Sequence, residues 1–315
     1  MLHFADGQVY WECHERVVGE TGWEPPTSSF CTLRNWLYEG TRAGADGPLV
    51  TNDIQEPVES SREAWFLNFW SKFAALYSQK NLTVATDKIP ALQGIANRVE
   101  RTTRLRFLAG TFFDDSPSVL RVLMWRRSGG FLCPNPAGLP SWTWASLDGP
   151  VMFHHQLSQQ DGVKLFSPAG RPLHAMAQLH LLPGATKGLL LSTPLVAAQR
   201  MGIYPERAGC EGHCFQTAEP AFKVQFDGQA WGVHHSQVCF DVQDCQPDEF
   251  FLAPLFHDKP GHNHFHSGRH FHVYHLALEK RHRPGLGHVY RRIGLAMTSQ
   301  KDDDKFPPTT TIALV

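Results

Sequence analysis

Two periodicities divide the chain. Between residues 60 and 100 the apolar positions recur at helical intervals. Beyond residue 139 they alternate at period two or fall in short runs between turn residues. The clearest helix follows Ser60 and Glu63, which have capping-box spacing, and presents Trp65, Phe66, Phe69, Trp70, Phe73 and Tyr77 on one face. Such a stripe is expected to be buried core and not a ligand site. A second helix is expected from Asp87, an N-cap residue with Pro90 in the first turn. Its apolar face is Ile89, Leu92, Ile95, Ala96 and Val99. Arg98, Arg101, Arg104 and Arg106 read as its solvated, cationic end.

The second half reads as strands. Trp142-Thr-Trp-Ala-Ser146 alternates, with both Trp on one side of a sheet. Residues 163–166, 174–182, 188–193, 221–226, 237–242, 250–256, 272–278 and 289–297 each have strand character. At the other end, Leu2–Cys13 reads as a hairpin turning at Asp6-Gly7, and residues 20–60 as a long irregular connection with a helical turn near Leu33–Tyr38. The expected fold class is therefore α+β. It has an N-terminal hairpin and irregular segment (1–60) and a segment of two helices with aromatic and aliphatic faces (61–138). An antiparallel β-rich sandwich or open barrel follows, packed on those helices (139–300), and then a flexible tail (301–315). The tail is inferred from Lys301-Asp-Asp-Asp-Lys305, Pro307-Pro308 and the Thr run.

Composition narrows the function. With 42% hydrophobic and 19% charged residues, the 315-residue chain has the material for a substantial core. Lys plus Arg number 29 against 30 Asp plus Glu, which lacks the broad positive field of a general nucleic-acid binder. No apolar run is long enough to span a membrane, and the first residues lack the basic and apolar regions of a signal peptide. Seven Cys, an odd number, fit reduced thiols in a cytoplasmic protein, with the Asn81-Leu-Thr83 sequon unused.

Candidate chemistry is sparse. Dinucleotide and P-loop glycine motifs, the Gly-x-Ser-x-Gly elbow and His-Glu-x-x-His do not occur. Asp114-Asp115 reads as a solvated turn before Pro117. The alternative to weigh is a zinc-binding protein or a metal-dependent enzyme that uses the Cys210–Cys245 or His262–His275 cluster. Cys210-Glu-Gly-His213-Cys214, with Cys239 and Cys245 downstream, offers thiolate and imidazole donors of the kind zinc takes. The spacings, however, match no standard zinc pattern. His262, His264 and His266 would share one face of a strand, with His270, His272 and His275 following. Gly261, Asn263, Ser267 and Gly268 favour a His-rich loop across 257–270 with incidental metal affinity. No cofactor and no catalytic residue is assigned from these patterns.

Five blocks in order carry a resemblance. They are Phe4-x5-Tyr10-Trp-Glu-Cys13; Tyr77-Ser-x3-Leu82-Thr-x3-Asp87-Lys-Ile-Pro-Ala-Leu-x-Gly94-Ile-Ala96; Leu108-Ala-Gly110 with Leu123-Met-Trp125; Pro140-Ser-Trp-Thr-Trp-Ala-Ser146 followed by Gly149-Pro-Val151; and Tyr290-x-Arg292-Ile-Gly294. In this order the chain resembles the fungal heterokaryon-incompatibility (HET) domain proteins over residues 2 to 297, in the later part of those proteins. The core motif of the incompatibility domain, Trp-Ile-Asp…Cys-Ile-x-Gln, does not occur, and Asn52-Asp-Ile-Gln55 is a superficial echo. The resemblance implies a truncated member, with residues 2–13 as the last hairpin of the missing domain. It also implies a non-enzymatic regulatory role in non-self recognition and cell death, exerted through a protein partner.

Overall fold

The computed structural model describes residues 2–5, 8–12, 17–19, 62–80, 82–114, 117–128, 132–154, 156–158, 164–166, 173–181, 188–204, 221–226, 236–242, 247–258, 270–285, 287–301 and 306–315. The fold is α+β and rich in antiparallel strands, as the two periodicities require. Near the N-terminus, β1 (Leu2–Ala5) pairs with β2 (Gln8–Glu12), with Leu2 opposite Trp11, and β3 (Val17–Gly19) extends the hairpin to three strands. The expected irregular stretch and helical turn of 20–60 lie outside the described residues.

Helix α1 spans Arg62–Tyr77. Its aromatic stripe is core: Phe66, Phe69, Trp70 and Phe73 are all buried. The Trp70 ring lies 5.0 Å from that of Phe73 and meets Phe112 edge-on at 4.8 Å. Each such side chain contributes about 1.5–3 kcal/mol on burial.

The second helix starts later than its capping signal. Asp87 is not its N-cap but sits within a 3-10 turn, Ala85–Lys88, and a second 3-10 turn, Pro90–Leu92, leads into α2 (Gln93–Thr102). Pro90 opens the second turn, so its missing N–H costs no helical bond there. Leu92, Ala96 and Val99 are buried as the apolar face requires, and Arg101, Arg104 and Arg106 are exposed. The hydroxyls of Thr102 and Thr103 bond back to Arg98 O and Val99 O at the helix end.

A compact run of short elements follows. A tight hairpin joins β4 (Arg106–Leu108) to β5 (Thr111–Phe113) through Ala109 and Gly110, both at positive φ (48° and 89°), the geometry of a type I′ turn. A 3-10 segment at Pro117–Leu123 precedes β6 (Trp125–Arg127). Then come β7 (Cys133–Pro134), β8 (Leu147–Asp148) and β9 (Val151–Phe153). β9 pairs with β6, and β7 with β8. Trp142–Ser146 is not a strand, contrary to its alternation. The Thr143 hydroxyl accepts from Ala145 N and starts a 3-10 turn at Trp144–Ser146, and Trp142 and Trp144 are both fully buried. The pair β10 (Gln156–Ser158) and β11 (Lys164–Phe166) completes this half.

The remaining strands form a ten-stranded sheet. They are β12 (His174–Ala175), β13 (Gln178–Leu181), β14 (Leu189–Pro194), β15 (Val196–Tyr204), β16 (Ala221–Phe226), β17 (Ser236–Phe240), β18 (Glu249–His257), β19 (His270–Arg283), β20 (Gly287–Lys301) and β21 (Thr309–Leu314). Six of them form a closed circuit of antiparallel pairs. It runs β15–β16–β17–β20–β19–β18 and returns to β15. Closure removes the free edges of these strands. Val196, Ala198, Val238, Phe240, Phe250 and Leu252 form a core of their own within this circuit, with Ala277, Ile293 and Ala296. The opposite face, through Leu276, Leu278 and Tyr290, joins the core built on α1.

The last residues are not a frayed tail. β21 pairs antiparallel with β14 over six positions, Leu189↔Leu314 to Pro194↔Thr309, and Ile312 and Leu314 are buried. β-Branched Thr309–Thr311 and Ile312 favour this strand once the Pro pair has set its start.

Candidate functional site

A connected set of polar contacts lies where the short elements meet the β-circuit, and the resembling blocks contribute much of it. Gly110 O accepts two indole N–H groups, from Trp70 (3.1 Å) and Trp144 (2.9 Å). Gly110 suits this place because a Cβ there would lie 3.0 Å from Ile89 and 3.2 Å from the Ala145 Cβ, at a φ that L side chains resist. The Thr143 hydroxyl donates to Ala109 O at 2.5 Å, and Trp125 Nε1 donates to Trp142 O at 3.0 Å. Lys88, buried, donates to Leu147 O, lies 3.5 Å from Asp148 Oδ1 and sits over the Trp144 ring. Burial pulls the Lys88 ammonium below its ordinary range, and Asp148 opposes that pull.

Arg292 on β20 fastens this assembly to the circuit. Its Nε donates to Asp241 Oδ2 at 3.0 Å, its Nη1 to Leu123 O at 2.6 Å and its Nη2 to Trp125 O. The guanidinium carbon lies 3.5 Å from the centre of the Trp125 ring. Arg292 N donates to the Ser141 hydroxyl (2.9 Å), and that hydroxyl donates to Val315 O. Arg127 Nε reaches Phe240 O at 2.7 Å. Burial pushes the Asp241 carboxyl up, and Arg292, Arg127 and Arg291 draw it back down. A guanidinium matches this task, since its planar fork satisfies a carboxylate and two carbonyls at once.

A second polar feature sits within the β-circuit. His275 is fully buried, with Nε2 2.9 Å from the Thr298 hydroxyl and no partner at Nδ1 among the described residues. Burial holds its pKa down to about 3, so the ring is neutral. At one end of β19, the buried Asp258 carboxylate accepts from His272 N at 2.7 Å and lies 3.2 Å from His272 Nδ1.

Most of the sequence-derived metal candidates lie outside the described residues. Cys239 lies on β17, partly exposed, in alternation with the inward Val238 and Phe240. Cys210, Cys214, Cys245, His262, His264 and His266 lie outside the described residues, as does His213. Among the described residues no three His, Cys, Asp or Glu side chains group as a metal site. The expected loop across 257–270 is shortened at both ends, because His257 belongs to β18 and His270 to β19. Residues 259–269 lie outside the described residues. His272 and His275 are strand residues. Asp114, read as part of a solvated turn, is half-buried and pairs with buried Arg121 at 3.3 Å.

Sequence patterns did not single out Asp241, Arg127 or Asp258. The available signal was a charged residue amid strand hydrophobics, as in Tyr290-Arg-Arg-Ile293, but no local pattern names its partner. No helix among the described residues is long and apolar enough to cross a membrane. No protein-family model matches this chain, and neither a curated protein nor a solved structure matches it.

Proposed function

We propose that the chain is a non-enzymatic regulatory or interaction region of a heterokaryon-incompatibility-type protein. It acts in the fungal cytoplasm in non-self recognition and the cell-death response, through a protein partner and not a nucleic acid. What supports this reading is that four of the five resembling blocks meet in one connected set of contacts. Ser78, Ala109 and Gly110, Leu123 and Trp125, Ser141 to Trp144 with Val151, and Arg292 are linked through hydrogen bonds that cross between blocks. Motifs far apart in sequence that fasten to one another behave as the signature of one inherited scaffold. The balanced net charge of -1 favours a protein partner over a polyanion.

The test is genetic. The gene is deleted in its fungal host, and hyphae are paired with strains of different incompatibility genotype. Fusion cells that take up a vital dye are then counted. The expected result is that deletion rescues fusion cells in at least one pairing and that the intact gene restores death. Unchanged survival in every pairing overturns the reading.

A further inference from the structure

The β19–β20 hairpin carries two imidazoles in direct register. His282 and His288 are cross-strand partners, one register step from the turn that joins Arg283 to Gly287. Both are exposed. Their ring centroids are 5.8 Å apart and their planes are inclined at 74°. Two imidazoles that share a metal at about 2.0–2.1 Å from each nitrogen have centroids roughly 4.5–6 Å apart. The observed spacing lies inside that range. Rotation of the exposed rings about χ2, a broad two-fold torsion, can bring one nitrogen of each toward a common point.

A second cross-strand pair in the same sheet shows what the first has. His174 and His257 also face each other in register, with centroids 5.1 Å apart. Their planes are inclined at only 26° and the rings stack on each other. His257 is further engaged edge-on by Phe271.

We infer that His282 and His288 form a two-histidine site for a divalent transition-metal ion of the nickel, copper or zinc type, at the tip of the β19–β20 hairpin. Neutral imidazole is the ligand, and the remaining coordination positions face solvent. Rigid antiparallel pairing holds the two donors in place, which limits the entropy lost on chelation. The surrounding charge opposes the cation: Lys280, Arg281 and Arg283 are exposed nearby, and Glu279, paired with Arg281 at 2.8 Å, is the one carboxylate among the described residues of the hairpin. The site therefore rests on directed nitrogen ligands and not on a negative field. It excludes calcium and magnesium, which need oxygen donors.

The experiment titrates Ni(II) into the full chain with His262, His264 and His266 replaced by Gln, which removes the closest-spaced run of competing imidazoles. Calorimetry gives stoichiometry and affinity, and paramagnetic broadening of backbone amide signals gives location. The expected result is one Ni(II) per chain, with broadening centred on residues 280–290. His288→Ala and His282→Ala should each weaken binding about tenfold or more, a loss that outer-shell changes alone can reach. Both side chains are exposed, so the variants should keep the parent melting temperature, and His288→Asn serves as a second variant. Equal affinity in parent and variants, or broadening confined to other residues, overturns the site.

Discussion

Trp70 and Trp144 donate their indole N–H groups to the same acceptor, Gly110 O, at 3.1 and 2.9 Å. One carbonyl thus uses both of its lone pairs to hold the aromatic face of α1 against the 3-10 turn at Trp144–Ser146. The I′ turn that presents this carbonyl requires positive φ at two successive residues. Its tolerance for change is low.

Trp70→Ala should lower unfolding free energy by about 3–5 kcal/mol, the cost of emptying a large aromatic site. Urea denaturation followed by circular dichroism reads this directly. A loss below about 1 kcal/mol would mean that the neighbouring rings close the cavity.

Arg292→Met should destabilise by about 3–5 kcal/mol, because it leaves buried Asp241 without its ion-pair partner. The double variant Arg292→Met, Asp241→Leu should recover part of that loss, since replacing both charges removes the uncompensated one. A double variant as unstable as the sum of the two singles would show that the bonds to Leu123 O and Trp125 O dominate.

Gly294→Ala probes the close pairing of β17 with β20. A Cβ there would lie 2.3 Å from Cys239 O and 3.0 Å from Phe240 Cα, and both are main-chain atoms. A loss of about 1–3 kcal/mol or more follows from overpacking. Gly285→Ala would add a Cβ with nothing within 4 Å, so it tests backbone strain alone at φ +82°. Thermal melts of the two variants should separate, with Gly294→Ala lower.

Acid should weaken the fold through His275. Burial holds its folded pKa to about 3, against an ordinary value of 6.5. Between these values the unfolded chain binds a proton that the folded chain does not. Stability from this group is therefore fully present above pH 6.5 and is lost as pH falls toward 3, at about 1.4 kcal/mol per pH unit. The imidazole carbon shifts of His275 in the folded protein should stay flat from pH 7 to 4.5. An inflection near 6.5 would contradict the burial argument.

The sequence was most legible where a residue's role depends on near neighbours. The α1 stripe follows from spacing alone, and Ala221–Phe226 has the bounds that its composition suggests. Trp142–Ser146 misled because alternation of Trp with small polar residues matches a strand. What decides the structure there is the Thr143 hydroxyl, which caps a turn locally. Asp302–Asp304 and the Pro pair masked the strand value of Thr309–Leu314, whose partner, β14, lies far back in the chain. Arg292 is the extreme case. Its partners at Leu123 and Trp125 come from the other end of the fold, and no window of sequence contains both. Apart from Cys239 on β17, the metal candidates among the cysteines and the 262–266 histidines lie outside the described residues, whereas the His282–His288 pair depends on register, which only strand pairing fixes.

Closure of the six strands also sets an order on synthesis. β20 is the shared neighbour of β17 and β19, and it is the last of the six to be made. Until residues 287–301 have left the ribosome, the ring is an open, apolar-lined sheet that cannot complete itself. A nascent chain stalled in that window offers hydrophobic surface to chaperones and to other nascent chains. A chain cut short before residue 287 would therefore keep that apolar lining open and tend to aggregate, whereas one cut just after residue 301 still carries all six strands of the ring.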